Sequence, residues 1–112
     1  MIDPRPASGL LVSAMIRRVQ SSGGSAMVLA KGDAIAGAII LILADRGITR
    51  ALVERVWRFD GGYGLEPIGP ADLSAPDAIS AYIERRRKSD PDLWVVELDH
   101  PAAAEIADDL QI

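Results

Sequence analysis

The chain contains no cysteine, and that absence excludes a disulfide framework, a thiolate zinc site and a cysteine nucleophile together. Histidine is nearly as scarce. His100 is alone, so any Ser-His-Asp triad or histidine-rich metal site would have to be built around it, and its place beside Pro101 in an acidic stretch reads as an exposed turn. Two Trp, two Tyr and one Phe in 112 residues are few for the stacking platform of a nucleic-acid binder, and a net charge of −4 also argues against nucleic acid as a partner. Long hydrophobic runs are missing too. Ala34 to Ala44 falls short of the ~20 residues a spanning helix needs, and Leu10 to Ile16 is followed by Arg17 and Arg18 without a small-residue cleavage pattern. No membrane partner is expected, and the cytoplasm is the default location.

Positive charge is absent from the last fifth of the chain. Residues 1 to 89 hold all twelve Lys/Arg against nine Asp/Glu, whereas residues 90 to 112 hold seven Asp/Glu and no cation. The acidic end either folds back beside basic residues, stays solvated, or gives the molecule a bipolar surface for a partner.

What is present reads as one α+β domain over residues 1–112, with a leader at 1–6, a body at 7–100 and a short acidic helical tail at 101–112. Val12, Met15, Ile16 and Val19 fall at helical spacing behind Ser8, a candidate N-cap, and Gly23-Gly24 supplies the stop. Segments 25–31, 34–43, 49–59 and 63–68 read as a four-strand antiparallel meander turned at Gly32-Asp33, Asp45-Arg46-Gly47 and Asp60-Gly61-Gly62. For 49–59 helix is the competing reading, because Ile48, Leu52, Val56 and Phe59 would also share a helical face. Ser74-Ala75-Pro76-Asp77 opens a second helix with Ile79, Tyr82 and Ile83 on its buried stripe and Arg85-Arg86-Arg87-Lys88 at its negative end. Asp90-Pro91 stops that helix, and Leu93 to Leu98 is a fifth strand. The predicted architecture is an antiparallel meander sheet of four to five strands with two main helices on one face. The tail helix is weak, since Asp108 and Asp109 oppose its dipole and only Ile106 and Leu110 are large enough to bury, so it is expected to fray.

Few motifs carry chemistry. Gly61-Gly62-Tyr63-Gly64 lacks the Lys-Ser/Thr of a phosphate loop and precedes no helix. Asp90 and Asp92 lack the ligand series of a calcium loop and are explained by a turn in which they bond local amides. Arg85 to Lys88 reads as a solvated helix end, with a phosphate or carboxylate surface as the functional alternative. Trp94 reads as a core anchor, with a rigid contact surface as the alternative. Glu97 lies among valines and, if buried, needs a partner such as Arg17 or Arg18. No catalytic residues, no metal ligands and no cofactor are assigned.

Three segments, Asp90-Pro91-Asp92-Leu93-Trp94, Ile16-Arg17-Arg18-Val19-Gln20 and Ala36-Gly37-Ala38-Ile39-Ile40, resemble the uncharacterised bacterial family known as domain of unknown function 1491, over about Leu11 to Asp99. The family has no assigned activity, so the resemblance implies a fold and carries over no catalytic residue. Two functional readings remain. One is a non-catalytic interaction module that self-associates or binds another protein through an apolar sheet face. The other is a ligand-binding protein or enzyme with a groove near Arg17, Arg18, Arg86, Asp90, Asp92 and Trp94, and a deep cleft with convergent charges would discriminate it.

Overall fold

Two segments of this chain are apolar enough to need cover on both faces, and they set the architecture. Ile39 to Ala44 and Leu93 to Val96 are continuously buried, the pattern expected of central strands. In the computed structural model, which describes residues 6–59 and 61–111, they lie side by side at the middle of a five-stranded sheet. The elements in chain order are α1 (Ser8–Ser21), β1 (Ser25–Ala30), β2 (Ile39–Asp45), β3 (Ile48–Trp57), β4 (Tyr63–Pro67), α2 (Pro76–Ser89), β5 (Trp94–Asp99) and α3 (Ala103–Asp109).

The strand order is β1-β5-β2-β3-β4, and β2 and β5 run parallel while every other pair is antiparallel. The sheet is therefore mixed, and the expected simple meander is corrected: only β2-β3-β4 forms one. β1 does not turn back onto β2 at Gly32-Asp33, because β5 occupies the place between them. Gly32 serves close packing instead, since a Cβ there would overlap the Asp92 carbonyl and the Trp94 ring. The stretch 49–59, ambiguous between strand and helix, is strand through Trp57. The β2–β3 hairpin has positive φ at both central residues, Arg46 and Gly47, which matches the right-handed strand twist. Asp99 at the end of β5 accepts from both turn amides, at 2.9 and 2.8 Å.

Strand alternation divides the apolar side chains into two cores. Ile39, Leu41 and Leu43 of β2 with Trp94, Val96 and Leu98 of β5 meet Leu11, Val12, Met15 and Val19 of α1 and Ala103, Ile106 and Ala107 of α3. Ile40, Ile42, Leu52, Leu93 and Val95 face the other way and meet Tyr82 and Ile83 of α2. The two main helices thus lie on opposite faces rather than one, in a three-layer arrangement. A sheet with apolar residues on both sides of its central strands cannot leave either side to water.

The tail also differs from expectation. Ala103, Ile106 and Ala107 are buried, so the small alanines that looked like weak anchors are what lets α3 approach α1 and β2 closely. Its start is held by His100, whose Nδ1 accepts from the Ala102 amide at 2.8 Å while Nε2 donates to the Ser22 carbonyl at 3.0 Å, tying the end of α1 to the start of α3. Neither expected serine cap forms. Ser8 is already helical and its hydroxyl donates to the Gly37 carbonyl at 2.6 Å, whereas Ser74 bonds the Asp72 carboxylate. Residues 1–5 of the expected leader and Asp60 of the expected third turn lie outside the described residues.

Candidate functional site

The residues singled out from the sequence do not converge. Arg17 and Arg18 are exposed on α1, near the end of the molecule where Gly24 packs on Asp99. Asp90 and Asp92 lie at the other end, at the start of β5, where the Asp33 amide donates to the Asp92 carbonyl at 2.9 Å. Asp90 accepts from the Asp92 amide at 3.1 Å, the local turn that two aspartates so spaced favour. Trp94 is 5% exposed and its indole N–H donates to the Asp33 carbonyl at 2.7 Å, the partner a buried indole requires. Glu97 shares a face with Leu93 and Val95, while α1 covers the opposite face, so Arg17 and Arg18 cannot serve it. That expected ion pair is corrected by the helix placement.

Arg86 is spent on structure. Its guanidinium grips the Glu54 carboxylate at 2.8 and 2.9 Å and donates to the Tyr82 hydroxyl at 2.9 Å, pinning α2 to β3. The carboxylate stabilises the cation and holds the Arg86 pKa above the ordinary arginine value, against the opposing effect of partial burial.

Two concave surfaces stand out among the described residues. The first, of about 440 Å³, is lined by Ala7, Ser8, Ile35, Gly37, Arg55 and Tyr63 among others. It lies at the N-terminus of α1, but the Ser8 and Gly9 amides already donate to the Ile35 and Ala34 carbonyls at 3.1 and 2.8 Å, and Arg55 lies 3.5 Å over the Tyr63 ring. The second, of about 720 Å³, runs between β1 and α2 and is lined by Leu29, Ala30, Ala81, Ile83, Glu84, Arg85, Arg87 and Lys88. Here the basic run at the end of α2 meets an edge strand. The Arg87 guanidinium is fixed by the Leu93 carbonyl at 2.7 Å and the Lys31 carbonyl at 3.3 Å, and Arg85 and Lys88 line the same groove, both exposed.

That edge is unusual in its composition. β1, Ser25 to Ala30, has β5 as its only sheet neighbour and carries no charged residue, and Met27, Val28 and Leu29 are 60, 39 and 48% exposed. The opposite edge, β4, carries Glu66 and ends at Pro67, two of the devices that discourage pairing with a foreign strand. The sequence reading placed this strand at the end of a four-strand meander beside β2 and did not single out its composition; the signal available was the uncharged run Ser-Ala-Met-Val-Leu-Ala.

No curated protein matches the chain. Solved structures do. A crystal structure of a DUF1491 family protein from Caulobacter crescentus CB15 is similar with a TM-score of 0.77 and 32% identity, over 91% of this chain and 94% of that one. An NMR structure of a DUF1491 family protein from the same organism gives 0.71 and 36%, over 86% and 87%, and the solution structure of a protein from A. tumefaciens gives 0.66 and 32%, over 86% of both. The family model described as protein of unknown function (DUF1491) matches residues 7–108, and with that span and these likenesses the chain belongs to the DUF1491 family.

Proposed function

We propose that this protein is a non-catalytic interaction module whose binding element is the open edge of β1, which accepts an added strand from a protein partner. The observation that carries the reading is the contrast between the two sheet edges. β4 is guarded by Glu66 and Pro67, while β1 presents three consecutive exposed apolar side chains and no charge, with a register shift between Val28 and Ala30 as its only irregularity against β5. Over Ser25 to Val28, ahead of that shift, every second residue directs its N–H and C=O outward. Such groups give affinity to an extended partner, and the flanking side-chain groove gives selectivity. The cavity near Ser8 and Arg55 supports a small-ligand reading less well, because the first helical amides there are already bonded within the chain.

Hydrogen exchange tests this. A bound extended peptide should slow exchange of β1 amides while leaving β4 amides unchanged. Met27→Pro and Val28→Pro form a matched pair: one removes an outward N–H and blocks addition with little effect on the fold, and the other removes a β1–β5 bond and lowers the melting temperature. If neither proline weakens binding, the edge is not the site.

A further inference from the structure

The edge is uncharged, but its surroundings are not. α2 passes beside β1 so that Ala81, Arg85 and Lys88, at spacings of four and three, line the groove with Leu29 and Ala30. Lys31 follows directly on β1, and Arg87 is anchored to the Lys31 carbonyl. Among the described residues Lys31, Arg85, Arg87 and Lys88 form no salt bridge, and Glu84 is the one carboxylate lining the groove. Elsewhere on the same layer the cation Arg86 is neutralised by Glu54. The groove lining therefore holds three cations against the one carboxylate of Glu84, with Glu97 of β5 on the same sheet face in register with Met27, and is net positive in a chain whose net charge is −4.

Building on the strand-addition reading, we propose that the occupant is an extended acidic segment of another protein, paired main chain to main chain with β1 and with its carboxylates over Arg85 and Lys88. Side chains of an added strand alternate between the two faces. One set would lie on the α2 face over the cations, and the other on the α1 face, where Val28 pairs in register with the buried Val96. A second copy of this chain fits less well. Antiparallel β1–β1 pairing about a twofold axis normal to the sheet places both α2 helices on the same face of the joined sheet, with Arg85 and Lys88 of one copy toward those of the other, a like-charge contact that electrostatic complementarity disfavours.

The probe is a fluorescein-labelled seven-residue peptide alternating valine and glutamate, compared with its valine and glutamine analogue by anisotropy on the full chain. The glutamate peptide is expected to bind about tenfold more tightly at low salt, with the difference shrinking as salt screens the groove. Arg85→Ala/Lys88→Ala should remove the difference and leave the glutamine peptide's affinity and the melting temperature unchanged. Equal affinity of the two peptides, abolished by the edge proline, overturns the acidic occupant and leaves strand addition standing. Glutamate-peptide binding that survives both prolines but is lost in the Arg85/Lys88 variant overturns strand addition and with it this proposal. If neither peptide binds and the protein sediments as a dimer dissociated by the edge proline, the occupant is a second copy. If neither binds and the protein is monomeric, both readings fall.

Discussion

Replacing Trp94 by alanine should be among the most damaging single changes in this chain. The side chain is 5% exposed and lies in the core between β5, β2 and α1, where truncating an aromatic costs about 3–5 kcal/mol, a large share of the 5–15 typical of a whole domain. Trp94→Phe separates packing from hydrogen bonding. It keeps a ring but loses the indole donor to the Asp33 carbonyl, and that carbonyl is not orphaned because the Gly37 amide donates to it at 3.2 Å. The phenylalanine variant should therefore cost only about 1–2 kcal/mol, the worth of one net hydrogen bond plus some lost volume. Urea unfolding followed by circular dichroism measures both, with an unchanged slope as the control that the two states are comparable. An alanine variant within about 1 kcal/mol of wild type would refute the anchoring role, and equal losses for alanine and phenylalanine would show that the hydrogen bond, not the packing, dominates.

Three further perturbations probe the other junctions. Glu54→Ala leaves the Arg86 cation half-buried without its partner and should cost about 1–2 kcal/mol, below the cost for a fully buried pair because 29 and 18% of the two side chains still meet water; the double variant with Arg86→Ala should cost less than the sum, as a double-mutant cycle would read. Deleting residues 103–112 should cost more than ~2 kcal/mol or unfold the domain, since Ile106 and two alanines leave the main core, and a melting temperature unmoved by the deletion would count against that packing. The Ser74 hydroxyl, then its amide, bond the Asp72 carboxylate and hold its pKa below the ordinary 3.8. Stability from this contact is present above the ordinary value and lost as pH falls through the lowered one, so in an NMR titration Ser74→Ala should move the Asp72 midpoint upward.

The elements themselves were largely legible and their neighbours were not. Helical spacing in Val12, Met15 and Val19, the glycines after α1, and the Asp-Pro stop before β5 are local signals, and local chemistry decides where a helix or strand begins and ends. Pairing is not local. Gly32-Asp33 has hairpin chemistry, yet the chain there bonds the start of β5 through the Asp33 amide and the Asp92 carbonyl before turning at residues 34–36, and no nearby residue announces that a strand 60 residues later will enter the gap. The available clue was one of composition: Ile39 to Ala44 shows no alternation, so it demands a central position with cover on both faces, and that demand is incompatible with two helices on a single face. The capping serines failed because Ser8 lies inside α1 and donates its hydroxyl to the Gly37 carbonyl, while Ser74 donates to the nearby Asp72 carboxylate, so neither accepts from the first helical amides. For the candidate site, the charge run at Arg85 to Lys88 was visible, but its members divide into roles that only the fold assigns: Arg86 pairs inward, Arg87 bonds carbonyls, and Arg85 and Lys88 line the groove.

The proposed binding edge owes its setting, though not its place on the rim, to the strand that neighbours it. Paired with β2, as in the expected meander, β1 would have been a rim strand as well. The insertion of β5 between them keeps this uncharged strand on the rim and brings it beside α2, the helix that leads into β5. Rims are commonly guarded by charge or proline, as β4 is by Glu66 and Pro67, whereas β1 has neither and carries a register shift between Val28 and Ala30. Instead the cations stand one layer away, on α2, where they leave the main-chain groups of β1 accessible and still act on whatever approaches. Charge placed beside an edge rather than on it does not block strand addition; it selects which strand is added.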